Sequence, residues 1–242
     1  MSTLNMLELH IDIGALHHFL YLQGYAGKEV ETELGYGVHA WLQAAFGERA
    51  PKPWRLLMDK NRPPRILGYS SHDAQALKEY LLGFGDPSVV QVCPDPSKIA
   101  SRQMPSWRKG RRLGYQVLTC PVGRKARNGV EKDLFLIKAD EVDRETIVSR
   151  ETVYGEWIER KFEEYGVIAE TVELTGFRVV KQFRQTQHSR AGREQRQIMR
   201  PQALLEGELT IECPDRFSAL LAHGVGRHRA FGYGMVLLRP IR

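Results

Sequence analysis

One order of hydrophobic periods occurs twice in this chain, and it restricts the folds open to it more than any other feature. Residues 6–13 alternate, with Leu7, Leu9, Ile11 and Ile13 against Glu8, His10 and Asp12, the period of a half-buried strand. Residues 15–22 read as a short helix, and a Gly- and Glu-bearing connection runs to Gly35. Val38, Trp41, Leu42, Ala45 and Phe46 fall at helical spacing, with Gly47 as the stop. Residues 54–58 and 66–69 read as strands around an Asn61-Arg62-Pro63-Pro64 turn, and 71–82 as a helix with Ser71 or Asp73 near its N-cap. The apolar, β-branched run 88–93 reads as a strand. Residues 94–110 are basic, Pro- and Ser-bearing and aperiodic, which predicts a linker, assigned to 98–110.

The second half repeats the order. Residues 113–120 read as a strand closed by Pro121, and 134–137 form another apolar run. Val153, Trp157, Ile158 and Phe162 share one helical face in 152–165, ended by Gly166. Residues 167–174 and 177–183 are strand-like, and a basic segment turns near Ala191-Gly192. Leu205, Gly207, Leu209, Ile211 and Cys213 alternate with Glu206, Glu208, Thr210 and Glu212. Pro214-Asp215 opens a helix holding Phe217, Leu220 and Leu221, and 233–238 is a final strand. The pattern β-α-β-β-α-β, read twice, predicts an α+β fold of tandem ferredoxin-like (RRM-like) domains, 1–97 and 111–242, the second carrying a basic β-hairpin. Sheets of this kind often bind RNA, but the fold hosts many functions.

Charge narrows the choice. Nine Lys/Arg and no acid lie between 97 and 130, Arg111 and Arg112 among them. Seven more, Arg178, Lys181, Arg184, Arg190, Arg193, Arg196 and Arg200, stand against Glu194 alone between 178 and 200. These blocks carry +9 and +6 in a chain whose total is +6, so the remainder carries −9. An acidic body with two arginine-rich blocks fits a polyanion, since arginine suits bidentate phosphate contacts and base stacking. A solvated surface is the plainer alternative. Neither block is an amphipathic basic helix, which argues against a membrane surface. Three scattered cysteines, Cys93, Cys120 and Cys213, give neither a disulfide framework nor a zinc site. They fit a reducing compartment. No apolar run is long enough to span a bilayer and the N-terminus has no signal-peptide pattern, so a cytoplasmic protein is expected.

Two motifs carry candidate chemistry. The segment 224–234, Gly-Val-Gly-Arg-His-Arg-Ala-Phe-Gly-Tyr-Gly, lies between a helix and the last strand. Gly224 and Gly226 let backbone approach a phosphate, and Arg227, His228 and Arg229 supply positive or imidazole groups. It is neither a Walker loop nor a dinucleotide fingerprint. A flexible glycine turn is the alternative reading. In Gly35-Tyr-Gly-Val-His39, Tyr36 and His39 are three residues apart and share one side of a helical turn. His39 falls beside the apolar stripe, at the rim of the core, where an imidazole reaches a ligand or serves structure. No other histidine has ligand spacing, and no metal or cofactor is expected.

The chain resembles the CRISPR-associated CasE endoribonucleases, which cut precursor CRISPR RNA for the type I-E Cascade complex. The resemblance rests on Gly224-Val225-Gly226, Arg229 and Gly232-Tyr233-Gly234 before a terminal strand, on Glu206-Gly207 at a strand start, on the strand from Arg112-Leu113 to Cys120-Pro121, on Glu156-Trp157-Ile158 and on Tyr36-x-x-His39. It covers most of the chain, strongest from residue 204 onward and weakest before Glu33. Lysine is usual in the family where Arg229 stands, and proline or a small residue where Arg227 and His228 stand. The resemblance implies that His39 is the catalytic histidine with Tyr36 as partner, and that the basic hairpin with Arg178, Lys181 and Arg184 engages an RNA stem. It implies metal-independent cleavage by ribose 2′-OH attack, giving 5′-hydroxyl and 2′,3′-cyclic phosphate ends. It further implies precursor CRISPR RNA and other Cascade subunits as partners, including a backbone subunit at the RNA 3′ end. A non-catalytic RNA-binding subunit on the same scaffold is the alternative.

Overall fold

The structure, a computed structural model, describes residues 3–25, 34–124, 131–143, 147–185 and 195–241, the side chains of 182–185 and 195–198 excepted. The chain divides into two units. The first holds Met1–Pro105, Lys181–Ile198 and Ala230–Gly232; the second holds Ser106–Val180, Met199–Arg229 and Tyr233–Arg242.

The first unit begins with β1 (Asn5–His10), whose Asn5, Leu7 and Leu9 are buried while the intervening residues are half-buried, as the alternation predicts. Asp12 caps α1 (Ile13–Leu22) by accepting a hydrogen bond from the Ala15 N–H at 2.6 Å. Next come α2 (Leu34–Phe46), β2 (Trp54–Leu57), β3 (Arg65–Ser70) and α3 (Ala74–Phe84), the last capped by Asp73. Two departures from the sequence reading follow. The run 88–93 is not a strand: Pro87 stands at the first turn of α4 (Pro87–Gln91), where its fixed φ suits a helix. Val89, Val92 and Cys93 are buried against the helices, and the Trp41 indole N–H donates to the Val89 carbonyl at 2.9 Å. The edge strand lies instead in the segment read as aperiodic linker. It is β4 (Ala100–Gln103), with all four residues exposed, so no hydrophobic alternation marks it.

The sheet order is β2-β3-β1-β4, every neighbouring pair antiparallel. With helices joining β1 to β2 and β3 to β4, this is the split β-α-β arrangement of a ferredoxin-like sandwich. Leu7, Leu9 and Ile66 face α1 to α4, and Trp41, Phe46, Leu77 and Leu81 fill the layer between.

The second unit repeats the plan. Its elements are β5 (Arg112–Thr119), the ribbon β6 (Val122–Arg124) and β7 (Glu131–Asp133), α5 (Leu134–Ala139), α6 (Arg150–Glu163), β8 (Val167–Ala169), most of β9 (Glu173–Gln185) and of β10 (Gln195–Ile211), α7 (Pro214–His223) and β11 (Val236–Arg239). The apolar run 134–137 therefore lies in a helix, capped by Asp133, which accepts from the Phe135 N–H at 2.9 Å. The strand order is β11-β5-β10-β8, with β9 paired to β10 beyond it. The first four strands again have the ferredoxin order. Strands β9 and β10 are the arms of the basic hairpin; its residues 186–194, with Arg190 and Arg193, lie outside the described residues.

Register in this sheet depends on Gly207. An added Cβ there would stand 1.9 Å from the Thr171 carbonyl oxygen, while the Glu208 N–H donates to the Thr171 hydroxyl at 3.0 Å. Gly207→Ala is expected to lower stability by roughly 3 kcal/mol, the upper end for forced overpacking. Urea unfolding of the variant beside wild type measures it, and a shift under about 0.5 kcal/mol, the ordinary surface level, would contradict the packing argument.

Candidate functional site

Helix α2 presents Tyr36 and His39 one turn into its length. Its first turn fits only because residue 35 is glycine: a Cβ there would lie 2.9 Å from the Phe231 carbonyl oxygen. Phe231 belongs to the short segment Ala230–Gly232 of the same unit. That segment is tied down by the Trp54 indole N–H, which donates to the Ala230 carbonyl at 3.0 Å.

The Phe231 ring connects the two candidate residues. His39 meets it edge-on, with centroids 5.1 Å apart and planes at 73°. Tyr36 stacks on it at 6.2 Å and 13°, and Tyr25 meets Tyr36 edge-on at 5.5 Å. His39 is half-buried at the mouth of a cleft of about 190 Å³, lined also by Leu42, Gln43, Ala50, Pro51, Lys52, Trp54 and Ala230. Burial, with the Lys52 charge adding to it, holds the imidazole below its ordinary value of 6.5. It is therefore neutral at pH 7 and free to accept a proton.

The glycine-rich turn builds a second constellation, in the second unit. Glu131, at the start of β7, gathers four basic partners, of which Arg124 is the most distant, its Nε 3.9 Å from Oε1. Arg200 donates to its Oε2 at 2.7 Å and to its backbone carbonyl at 3.2 Å. Arg227 donates to Oε1 at 3.0 Å, and His228 Nε2 lies 3.0 Å from Oε2. Arg200 is 5% exposed. Burial pushes the Glu131 carboxyl up, but His228, Arg200 and Arg227 outweigh it and the net direction is down. Burial lowers His228, so the guanidinium groups carry that attraction at neutral pH. His228 also sits at φ 61°, left-handed backbone that a residue other than glycine adopts only under constraint. Arg229 donates to the His223 carbonyl at 2.6 Å, at the C-terminal end of α7. Gly224, Gly226, Arg227 and Arg229 line a concavity of about 280 Å³ with Trp157 and Lys161.

The model of the family described as CRISPR associated protein matches residues 17–240. The chain belongs to this family. No curated protein is significantly similar in sequence. Among solved structures, the CRISPR endoribonuclease Cse3 bound to 19-nucleotide RNA is 19% identical, with a TM-score of 0.62 over 98% of this chain and 100% of that one. Thermus thermophilus Cse3 bound to an RNA representing a pre-cleavage complex is 20% identical, with a TM-score of 0.58 over the same shares. A chain of a CRISPR RNA-guided surveillance complex, pre-nicking, is 15% identical at 0.55, again over 98% and 100%. At such identities the likeness is one of fold, and it agrees with the tandem ferredoxin-like sheets described above.

In this CRISPR-associated protein the sequence-read residues fall into distinct sets. Tyr36 and His39 meet on Phe231. Arg227 and His228, read as phosphate contacts, have their side chains on Glu131. Arg112 pairs with Glu208 at 2.9 Å, while Arg111 is exposed. On the hairpin, Arg178 is hydrogen-bonded to Gln202 and Lys181 is exposed. Arg184 and Arg196 lie on β9 and β10, their side chains outside the described residues. Among the described residues no group of three His, Cys, Asp or Glu is placed to hold a metal ion, and no helix is long and apolar enough to cross a membrane. Sequence reasoning missed Phe231, Lys52 and Glu131. Phe231 lies inside the glycine-rich motif and was open to notice; Lys52 and Glu131 have no local pattern.

Proposed function

We propose that the chain is an endoribonuclease that binds the repeat stem-loop of precursor CRISPR RNA and cuts it to mature CRISPR RNA. The observation that carries this is the neutral, half-buried His39 beside Tyr36 on the rim of a cleft. Membership of the CRISPR-associated family and the fold shared with RNA-bound Cse3 support it.

His39 takes the proton of the ribose 2′-OH. The 2′-oxygen forms a bond to phosphorus as the bond from phosphorus to the 5′-oxygen breaks, and the 5′-oxygen leaves with a proton drawn from water, the hydroxide so formed taking back the proton that His39 accepted. The products are a 2′,3′-cyclic phosphate and a 5′-hydroxyl. Tyr36 hydrogen-bonds the ribose or the phosphate through its hydroxyl. Proton transfer of this kind contributes ~10²–10⁴-fold. The RNA stem is held through its phosphates and shape, because the deep A-form major groove hides base edges. The hairpin, with Arg178 and Lys181, and the glycine-rich turn, with Arg229, supply cations for that contact. Arg227 and His228 brace the turn from within. The cut RNA stays bound, and the protein remains as a subunit of a Cascade assembly beside the backbone subunit at the RNA 3′ end.

Incubation with a repeat stem-loop RNA in EDTA tests the reading. One cut is expected, with the stated end groups and no need for a divalent ion. Tight, salt-dependent binding without product over hours would instead make the chain an RNA-holding subunit. The acid limb of kcat/KM, which reports the RNA-free protein, should have its midpoint below 6.5, because the free base persists to lower pH than in an ordinary histidine. A midpoint above 6.5 would contradict the burial argument.

A further inference from the structure

A histidine that accepts a proton is commonly oriented by a hydrogen bond at its other ring nitrogen. His39 lacks that support: among the described residues no group hydrogen-bonds either nitrogen, and its ring partner is Phe231. The torsion that turns an imidazole about its Cβ–Cγ bond has broad minima, so the backbone of α2 alone does not set the plane of the ring. The edge contact with Phe231, 5.1 Å between centroids and 73° between planes, limits that rotation. The phenyl ring is itself held. The Ala230 carbonyl accepts from the Trp54 indole N–H at 3.0 Å. Gly232, at φ 88°, lies so near the Trp54 ring that a Cβ would stand 2.9 Å from its Cζ3. The Phe231 carbonyl lies against Gly35, and roughly opposite on the same helical turn a Cβ at Gly37 would stand 2.7 Å from Leu20 Cδ1 of α1. The start of α2 is thus wedged between α1 and the segment Ala230–Gly232, with no slack on either side.

We propose that Phe231 is a positioning residue for the cut: its ring sets the plane of the His39 imidazole and the stance of Tyr36, so that both meet the ribose together. The proposal rests on the endoribonuclease reading and adds the side chain that aims its proton acceptor. Tyr36 lies nearly parallel to the same ring, and Tyr25 meets Tyr36 edge-on, so Tyr36 is held between two aromatic neighbours. An aliphatic side chain of similar volume fills that space but has neither the flat face nor the charged edge that gives an aromatic contact its direction. Direction matters here because proton transfer needs alignment, and a misplacement of about 1 Å costs ~10²-fold in rate. The ring also keeps water from one side of the imidazole, and burial is the main cause that lowers His39. An imidazole released toward the cleft mouth would return toward 6.5. The charged and titratable groups described around it, Lys52 in the cleft and Tyr36 on its own helix with Tyr25 beyond, all remain when Phe231 is replaced.

The test has two arms on the full chain, with Phe231→Leu, Phe231→Tyr and Gly35→Ala beside wild type. In single-turnover cleavage of the repeat RNA, Phe231→Leu is expected to lower the maximal rate ~10–100-fold, while the protein concentration for half-maximal rate stays within about twofold. Phe231→Tyr keeps the ring and should keep most of the rate. Gly35→Ala, which displaces the Phe231 carbonyl and leaves the ring chemistry intact, should share the loss, and it decides the question if Phe231→Leu does not fold. In the second arm, without RNA, the His39 ring protons, assigned with His39→Gln, are followed by NMR through a pH titration. Their midpoint should rise toward 6.5 in Phe231→Leu and Gly35→Ala and stay at the wild-type value in Phe231→Tyr. Wild-type maximal rate in a folded Phe231→Leu, or an unmoved midpoint in both altered chains, overturns the assignment and leaves Phe231 as a filler of space. Failure of wild type itself to cut would defeat the endoribonuclease reading, while the NMR arm would still decide whether Phe231 orients His39.

Discussion

Cutting is expected to stop when His39 becomes alanine, with the rate falling by ~10²–10⁴-fold, the range for losing a positioned proton acceptor. The protein should remain folded. The side chain is half-buried at the rim of the core, and its one described ring contact is the edge of Phe231. Stem-loop affinity should stay within about twofold, because phosphate-directed cations away from this helix carry the binding. Electrophoretic binding and single-turnover cleavage on the same preparation separate the two effects. An equal loss of binding and cutting would make His39 a structural residue, and Phe231→Leu would then be the better probe of the rim.

Replacing Glu131 by alanine should do the largest damage to stability, about 3–5 kcal/mol, as expected when one partner of a buried ion pair is removed. Arg200 is 5% exposed and would remain charged without a counter-ion. Arg227 and His228 would lose the same carboxylate, and with it their hold on the glycine-rich turn. Denaturant unfolding measures the loss. Adding Arg200→Met to the alanine variant should recover most of it, because no buried charge is then left alone. The pH dependence has the same sign at both groups. Glu131 is depressed in the folded state, so its contribution is present above its ordinary value of 4.5 and disappears as pH falls through the lower folded value. His228 is also depressed, so the unfolded chain binds the extra proton and stability falls as pH drops below 6.5. Acid should therefore loosen the turn in wild type and have less effect in the double variant.

Both sandwiches were legible because most of their strands carry period-two alternation. Residues 205–211 of β10 face inward at Leu205, Leu209 and Ile211, and β1 does the same at Leu7 and Leu9. Where that signal fails, the reading fails with it. Strand β4 is an edge strand exposed at every position, so polarity alone made it look like linker. The Val-Val pair in α4 suggested a strand, but Pro87 and burial against Trp41 prevail over β-propensity. The run 134–137 is too short for periodicity to separate helix from strand. At the candidate site, the Tyr36–His39 pair was readable because three-residue spacing on a helix is a local property. Phe231 comes to His39 from a distant part of the sequence, and Lys52 from the connection that follows α2. Glu131 lies 69 residues from Arg200 and 97 from His228. A lone acid in a basic neighbourhood carries no periodic mark, so only the fold assembles that cluster.

The most direct test of the account is cleavage of one repeat stem-loop RNA in EDTA, made with either a 2′-hydroxyl or a 2′-deoxy sugar at the cut position and offered to wild type and to His39→Ala. The account predicts that only wild type with the hydroxyl-bearing RNA yields product, while all four mixtures bind. Cutting of the deoxy RNA by wild type, or equal cutting by His39→Ala, would contradict it.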